Sequence, residues 1–109
     1  MVLTEADMKV SAKLSQNELK IFLDGELDHS VANGIRVQLD NYIEKNAPRK
    51  VVLDMSRLTF MDSTGIGLIM GRYKKLRARQ IPMFISMPNP QIDKVIKVSG
   101  LYEIIPLLR

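Results

Sequence analysis

Apolar and polar residues alternate strictly over residues 8–14, with Met8, Val10, Ala12 and Leu14 on one face, and again over 17–23, where Leu19, Ile21 and Leu23 oppose Lys20. Two period-two segments joined through Ser-Gln-Asn predict an antiparallel hairpin. From about Ser30 to Asn46 the period changes, and Val31, Ile35, Leu39, Tyr42 and Ile43 recur at steps of three and four. With Asp28 or Ser30 as N-cap and Pro48 beyond the end, this predicts an amphipathic helix. Residues 50–55 and 82–87 are short continuous apolar runs, the pattern of strands covered on both faces. Between them Ile66, Ile69, Met70, Tyr73 and Leu76 share one helical face, while Gly67 and Gly71 form a smooth strip that permits close packing. A third helix is framed by Asn89 as N-cap, Pro90 at its first position, an Ile92, Val95 and Ile96 stripe, and Gly100 as its stop. Leu101–Ile105 predicts a last short strand.

The order is ββαβαβαβ, without repeats, low-complexity segments or linkers. Strands alternating with helices imply right-handed parallel crossovers, so the chain is expected to fold as one α/β domain over 1–109, with helices packed against a mixed β-sheet. Its 109 residues suit a single hydrophobic core. No stretch approaches the apolar length of a membrane span, and the opening segment lacks a basic-then-apolar leader pattern. The absence of cysteine fits a reducing compartment, so a soluble cytoplasmic protein is expected.

The net charge of +4 is unevenly spread. Residues 1–65 hold 8 basic and 10 acidic groups, and residues 66–109 hold 8 and 2. Arg72, Lys74, Lys75, Arg77 and Arg79 crowd one short segment, which raises the question of nucleic acid or a membrane surface as partner. They fall in the second half of a predicted helix, where the macrodipole favours cations, and no aromatic ladder accompanies them. The expected reading is a solvated helix end, with no nucleic-acid and no membrane partner.

The chemistry concentrates in Phe60-Met61-Asp62-Ser63-Thr64-Gly65, between an apolar strand and a helix. Asp, Ser and Thr are all favoured N-caps, and one cap accounts for one of the three. A phosphate on a hydroxyl here would meet the amides and positive dipole end of the helix, so the fold should tolerate the modification. A switch so placed must act through what its charge does to a partner. A nucleophile elbow, G-x-S-x-G, has Met61 where its first Gly belongs, and the lone imidazole, His29, would have to act from another loop. The aspartic-protease triplet is interrupted by an extra residue. One His without Cys disfavours zinc, and no Walker-type phosphate loop occurs, so neither an enzyme nor a metal protein is expected.

With Gly-Glu-Leu-Asp-His at 25–29, Phe-Met-Asp-Ser-Thr-Gly-Ile-Gly-Leu-Ile-Met-Gly-Arg-Tyr-Lys at 60–74 and Ser-Gly-Leu-Tyr-Glu-Ile-Ile at 99–105, the sequence resembles the anti-sigma factor antagonists of the bacterial single-domain STAS family, in their sporulation-type branch. The resemblance implies an unmodified antagonist that binds an anti-sigma factor which is also a serine kinase, freeing a sigma factor for transcription. It implies that this kinase brings ATP and Mg²⁺, phosphorylates the antagonist and so releases it, and that a serine phosphatase resets the switch. On these motifs the phosphorylated residue is Ser63. The partner-binding positions are Asp28, His29, Asp62, Ser63, Thr64, Gly65, Ile66, Gly67 and Asn89, with Asp28 either pairing with a kinase cation or capping its helix. Gly65 and Gly67 would let a partner approach the helix start, although core packing would also select them. The alternative is a STAS module of another signalling assembly, binding a nucleotide or small ligand. Many members carry a further terminal helix, whereas this chain stops at Arg109.

Overall fold

The computed structural model describes residues 8–108; the opening segment read for a leader lies outside the described residues. Strand β1 (Met8–Ser15) and strand β2 (Glu18–Leu27) form the predicted antiparallel hairpin, turning through Gln16 and Asn17, both at positive φ (52° and 69°). Two consecutive residues in that region make the turn whose twist suits a tight hairpin. Helix α1 (His29–Asn46), strand β3 (Lys50–Met61), helix α2 (Ser63–Ala78), strand β4 (Met83–Ser86), helix α3 (Pro90–Ser99) and strand β5 (Leu107–Leu108) follow. The sheet runs β1-β2-β3-β4-β5, antiparallel at the hairpin and parallel from β2 onward.

Right-handed crossovers between parallel strands laid down in sequence order place successive helices on the same side of a sheet. The buried side chains agree: Leu19, Ile21, Leu23, Val51, Leu53, Met55, Met83 and Ile85 share one core with Ile35, Leu39 and Ile43 of α1, Ile69 and Leu76 of α2, and Ile92 and Ile96 of α3. The alternate residues of β3 are also buried, as its continuous apolar run predicts. On that second face Val52 lies between its paired neighbours Lys20 and Phe84, and Asp54 between Phe22 and Ser86. Asp54 remains satisfied by accepting from the Ser56 amide (2.9 Å) and hydroxyl.

Two expectations about the sheet are corrected. Strand β3 runs on to Met61, twice the length of its apolar core, because Leu58 and Met61 continue to bury while Ser56, Arg57, Thr59 and Phe60 face solvent. Leu101–Ile105 is not the last strand. Leu101–Glu103 is a 3₁₀ turn that buries Leu101 and Ile105, four apart, and the Tyr102 hydroxyl donates to Asp93 Oδ1 at 2.6 Å. A short apolar run fits a helical turn as well as a strand, and here the turn's spacing prevails. The strand begins after Pro106, whose carbonyl accepts from the Ile85 amide.

The basic segment is also not simply a solvated helix end. Arg72 is buried, with Nε 3.0 Å from Asp40 Oδ1, and Lys75 Nζ lies 3.3 Å from Asp40 Oδ2. Arg79 Nη2 sits 2.8 Å from Glu44 Oε2 one turn further along. These contacts tie α2 to α1. Neither Nε, despite its ion pair, nor Nη1 of Arg72 makes a hydrogen bond among the described residues, and burial pushes the guanidinium pKa down against the pull of Asp40. Removing one partner of a buried pair leaves the other's charge uncompensated, and Arg72 is the more buried partner, whereas Asp40 is more exposed and also pairs with Lys75. Asp40→Ala, which strands the buried cation, is expected to destabilise by about 3 kcal/mol, and Arg72→Met by clearly less. Urea unfolding of the two variants checks the order.

Candidate functional site

Parallel pairing of β2 with β3 sets Leu27 beside Met61, so the residues that follow each strand emerge side by side. Each is an Asp. Asp28 Oδ1 accepts from the Ser30 amide (2.9 Å), the Ser30 hydroxyl (2.6 Å) and the Val31 amide (3.3 Å), capping α1. Asp62 Oδ1 accepts from the Thr64 amide (3.0 Å) and the Gly65 amide (3.2 Å), capping α2. The Asp62 amide reaches back to the Leu27 carbonyl at 3.4 Å and joins the two turns. Both open choices of cap are thereby settled in favour of the Asp. The Ser30 hydroxyl, with smaller help from backbone amides and His29, holds the Asp28 carboxyl below its usual pKa.

With Asp62 inside the turn, Ser63 becomes the first residue of α2 and is exposed. Its hydroxyl makes no hydrogen bond among the described residues. Thr64 is half-buried and gives its amide to the cap. Two of the first-turn amides expected to greet a phosphate, those of Thr64 and Gly65, are therefore already engaged by Asp62. His29 holds the equivalent first position of α1 and is likewise exposed. No cluster of three or more His, Cys, Asp or Glu capable of holding a metal occurs among the described residues.

The remaining predicted residues divide by direction. Gly65 is buried, and a Cβ there would stand 2.6 Å from Met61 Cγ and 3.1 Å from Leu27 Cγ. Core packing is what demands it. Gly67 is exposed, and a Cβ there would meet nothing within 4 Å; the same open space lies over Gly71, so the strip packs against no element among the described residues. Ile66 is half-buried, leaning on the core from α2. Asn89 spends both ends of its amide inside the chain: Oδ1 caps α3 through the Ile92 amide (2.9 Å), and Nδ2 donates to the Leu58 carbonyl (2.9 Å). It anchors the start of α3 to β3 beside the site.

Ser63 and Ile66 also line a groove of about 350 Å³ closed on its other side by Lys94, Val95 and Val98 of α3. Sequence reasoning passed over Lys94 and Val98. Val98 carried a signal, since it is an apolar residue three after Val95 yet outside the Ile92 and Ile96 core stripe, and it is 80% exposed.

The sequence model of the STAS domain matches residues 9–109. The chain belongs to the STAS domain family. An anti-sigma F factor antagonist of Paenibacillus polymyxa is 33% identical over 93% of this chain and 86% of its own. The solved structure of the anti-sigma factor antagonist SpoIIAA in its unphosphorylated form is 30% identical, covers 94% of this chain and 88% of its own, and superposes with a TM-score of 0.76. The phosphorylated form of SpoIIAA, a Bacillus cell fate determinant, has the same identity, covers 94% and 91%, and superposes with a TM-score of 0.68. The STAS fold of these relatives is the mixed sheet described above, as the sequence motifs led one to expect. No helix among the described residues is long and apolar enough to cross a membrane.

The two glycines separate packing from access. Gly65→Ala is expected to destabilise by about 1–3 kcal/mol through overpacking against Met61 and Leu27. Gly67→Ala, in an exposed helix interior, should be neutral or stabilise by up to about 1 kcal/mol. Denaturant melts of both variants test this.

Proposed function

We propose that this chain is an anti-sigma factor antagonist whose binding is switched off by phosphorylation of Ser63. In its unmodified form it binds a serine-kinase anti-sigma factor in the cytoplasm and frees the sigma factor; the kinase, using its own ATP and Mg²⁺, then modifies Ser63, and a serine phosphatase restores the binding form. The observation that carries this reading is the exposed Ser63 hydroxyl, with no partner among the described residues, directly after the Asp62 cap. The homologous SpoIIAA, known in unphosphorylated and phosphorylated forms, supports it.

The arrangement favours binding over catalysis. A serine nucleophile needs a base within hydrogen-bond reach and an oriented oxyanion site. Ser63 has no such base among its hydrogen bonds, and Asp62 turns its carboxylate to backbone amides. In this reading the ATP and Mg²⁺ come from the kinase, and the chain is assigned no cofactor of its own. Asp28, His29, Thr64, Ile66 and Gly67 form the surface around Ser63 that the kinase covers, while Asp62, Gly65 and Asn89 hold that surface in shape. The basic stretch of α2 is committed largely to α1, which argues against nucleic acid or membrane as its partner.

Incubation with the cognate kinase and ATP, followed by mass spectrometry, should place one phosphate on Ser63 in the parent and in Thr64→Ala, and none on Ser63→Ala. Ser63→Ala should still be retained by the kinase in a pull-down. Phosphate on Thr64 would defeat the residue assignment. Failure of the folded chain to be retained would instead favour a STAS module of another assembly, binding a nucleotide or small ligand.

A further inference from the structure

A phosphate on Ser63 would carry a charge of about −1.5 to −2 and arrive beside the Asp62 carboxylate. The usual source of relief, the amides of the first helical turn, is largely spent: Thr64 and Gly65 donate to Asp62 Oδ1, and the Ile66 amide donates to the Asp62 carbonyl at 3.2 Å. Beyond the Ser63 amide itself, compensation has to come from a side chain. The groove that begins at Ser63 is lined by the apolar side chains of Ile66, Val95 and Val98, and among the described residues its charged lining groups are Asp62 and Lys94. Lys94 is exposed and enters no ion pair or hydrogen bond among the described residues, whereas Lys97, the other lysine of α3, lies 3.4 Å from Asp93. Lys94, without a partner among the described residues, thus shares a small apolar groove with the Ser63 hydroxyl, which has none there either.

We propose that Lys94 is the cationic half of the phosphoserine site: when Ser63 carries a phosphoryl group, the Lys94 ammonium pairs with it across the groove. This rests on the reading of Ser63 as the modified residue. Transfer forms the bond from phosphorus to Ser63 Oγ, breaks the bond from the γ-phosphorus to the bridging oxygen of ADP, and passes the hydroxyl proton to the kinase. The new charge is then drawn over Ile66, Val95 and Val98. The modified chain covers with an ion pair an apolar surface that the unmodified chain leaves open, so modification changes the shape offered to a partner as well as its charge.

The test installs phosphoserine at position 63 during translation, without the kinase, and follows the phosphate by ³¹P NMR as a function of pH. A cation close by favours the dianion, so the second ionisation should lie about half a unit lower in the parent than in Lys94→Gln. Lys97→Gln should titrate as the parent does. Asp62, Asp28 and His29 are present in all three proteins, so their influence cancels in the comparison. The difference should shrink at high salt, as expected for a partly exposed pair. Identical titration in the parent and Lys94→Gln would overturn the proposal, and because the phosphoserine is preinstalled this outcome stands apart from whether the kinase selects Ser63.

Discussion

The parallel register of β2 with β3, which sets Leu27 against Met61, is the constraint on which the site depends. It brings two strand ends to the same level, and each chain then turns through an Asp into a helix. The two caps follow from local chemistry, since an Asp at the N-cap satisfies orphan amides and complements the helix dipole. Their juxtaposition does not follow locally. It requires the sheet, and Gly65 requires it too, because the first turn of α2 can sit against Met61 and Leu27 only without a Cβ.

Behind that edge the helices are held as a layer. Apolar contacts from α1, α2 and α3 converge on one face of the sheet, and the ion pairs of Asp40 and Glu44 with Arg72, Lys75 and Arg79 lock α1 to α2. Arg72 is a specifying contact more than a stabilising one, because its burial leaves two of its nitrogens without a hydrogen-bond partner among the described residues and depresses its basicity. Ser63 stands outside this frame, exposed at the first position of α2. A negative charge on Ser63 therefore acts where it stands, at the surface offered to a partner.

Much of this was legible in the sequence because period and punctuation agreed. The hairpin alternation, the α1 spacing, and the Asn89, Pro90 and Gly100 frame of α3 each carried their own boundary signals. What escaped depended on contacts distant in sequence. Leu101–Ile105 is apolar enough for a strand, but its amides close onto the Gly100 and Leu101 carbonyls, and the Tyr102 hydroxyl on Asp93 and the burial of residues four apart go with that turn. Arg72 looked like one cation of a solvated helix end, and its burial becomes visible only with Asp40 opposite. At the site, Asp, Ser and Thr competed as caps on equal local terms; the capture of the first-turn amides by Asp62 decided it. Lys94 was illegible for the same reason, since thirty residues separate it from the hydroxyl whose groove it lines.

Calorimetric binding of the kinase-type anti-sigma factor to the unmodified chain and to the chain carrying phosphoserine at position 63, with thermal unfolding of both recorded in parallel, tests the central claim most directly. A charge placed against the like charges of a nucleotide-loaded active site costs several kcal/mol, so affinity should fall about a hundredfold or more while stability stays within about 1 kcal/mol. Equal affinity for the two forms, or a loss of affinity that tracks a loss of folding, would contradict the account.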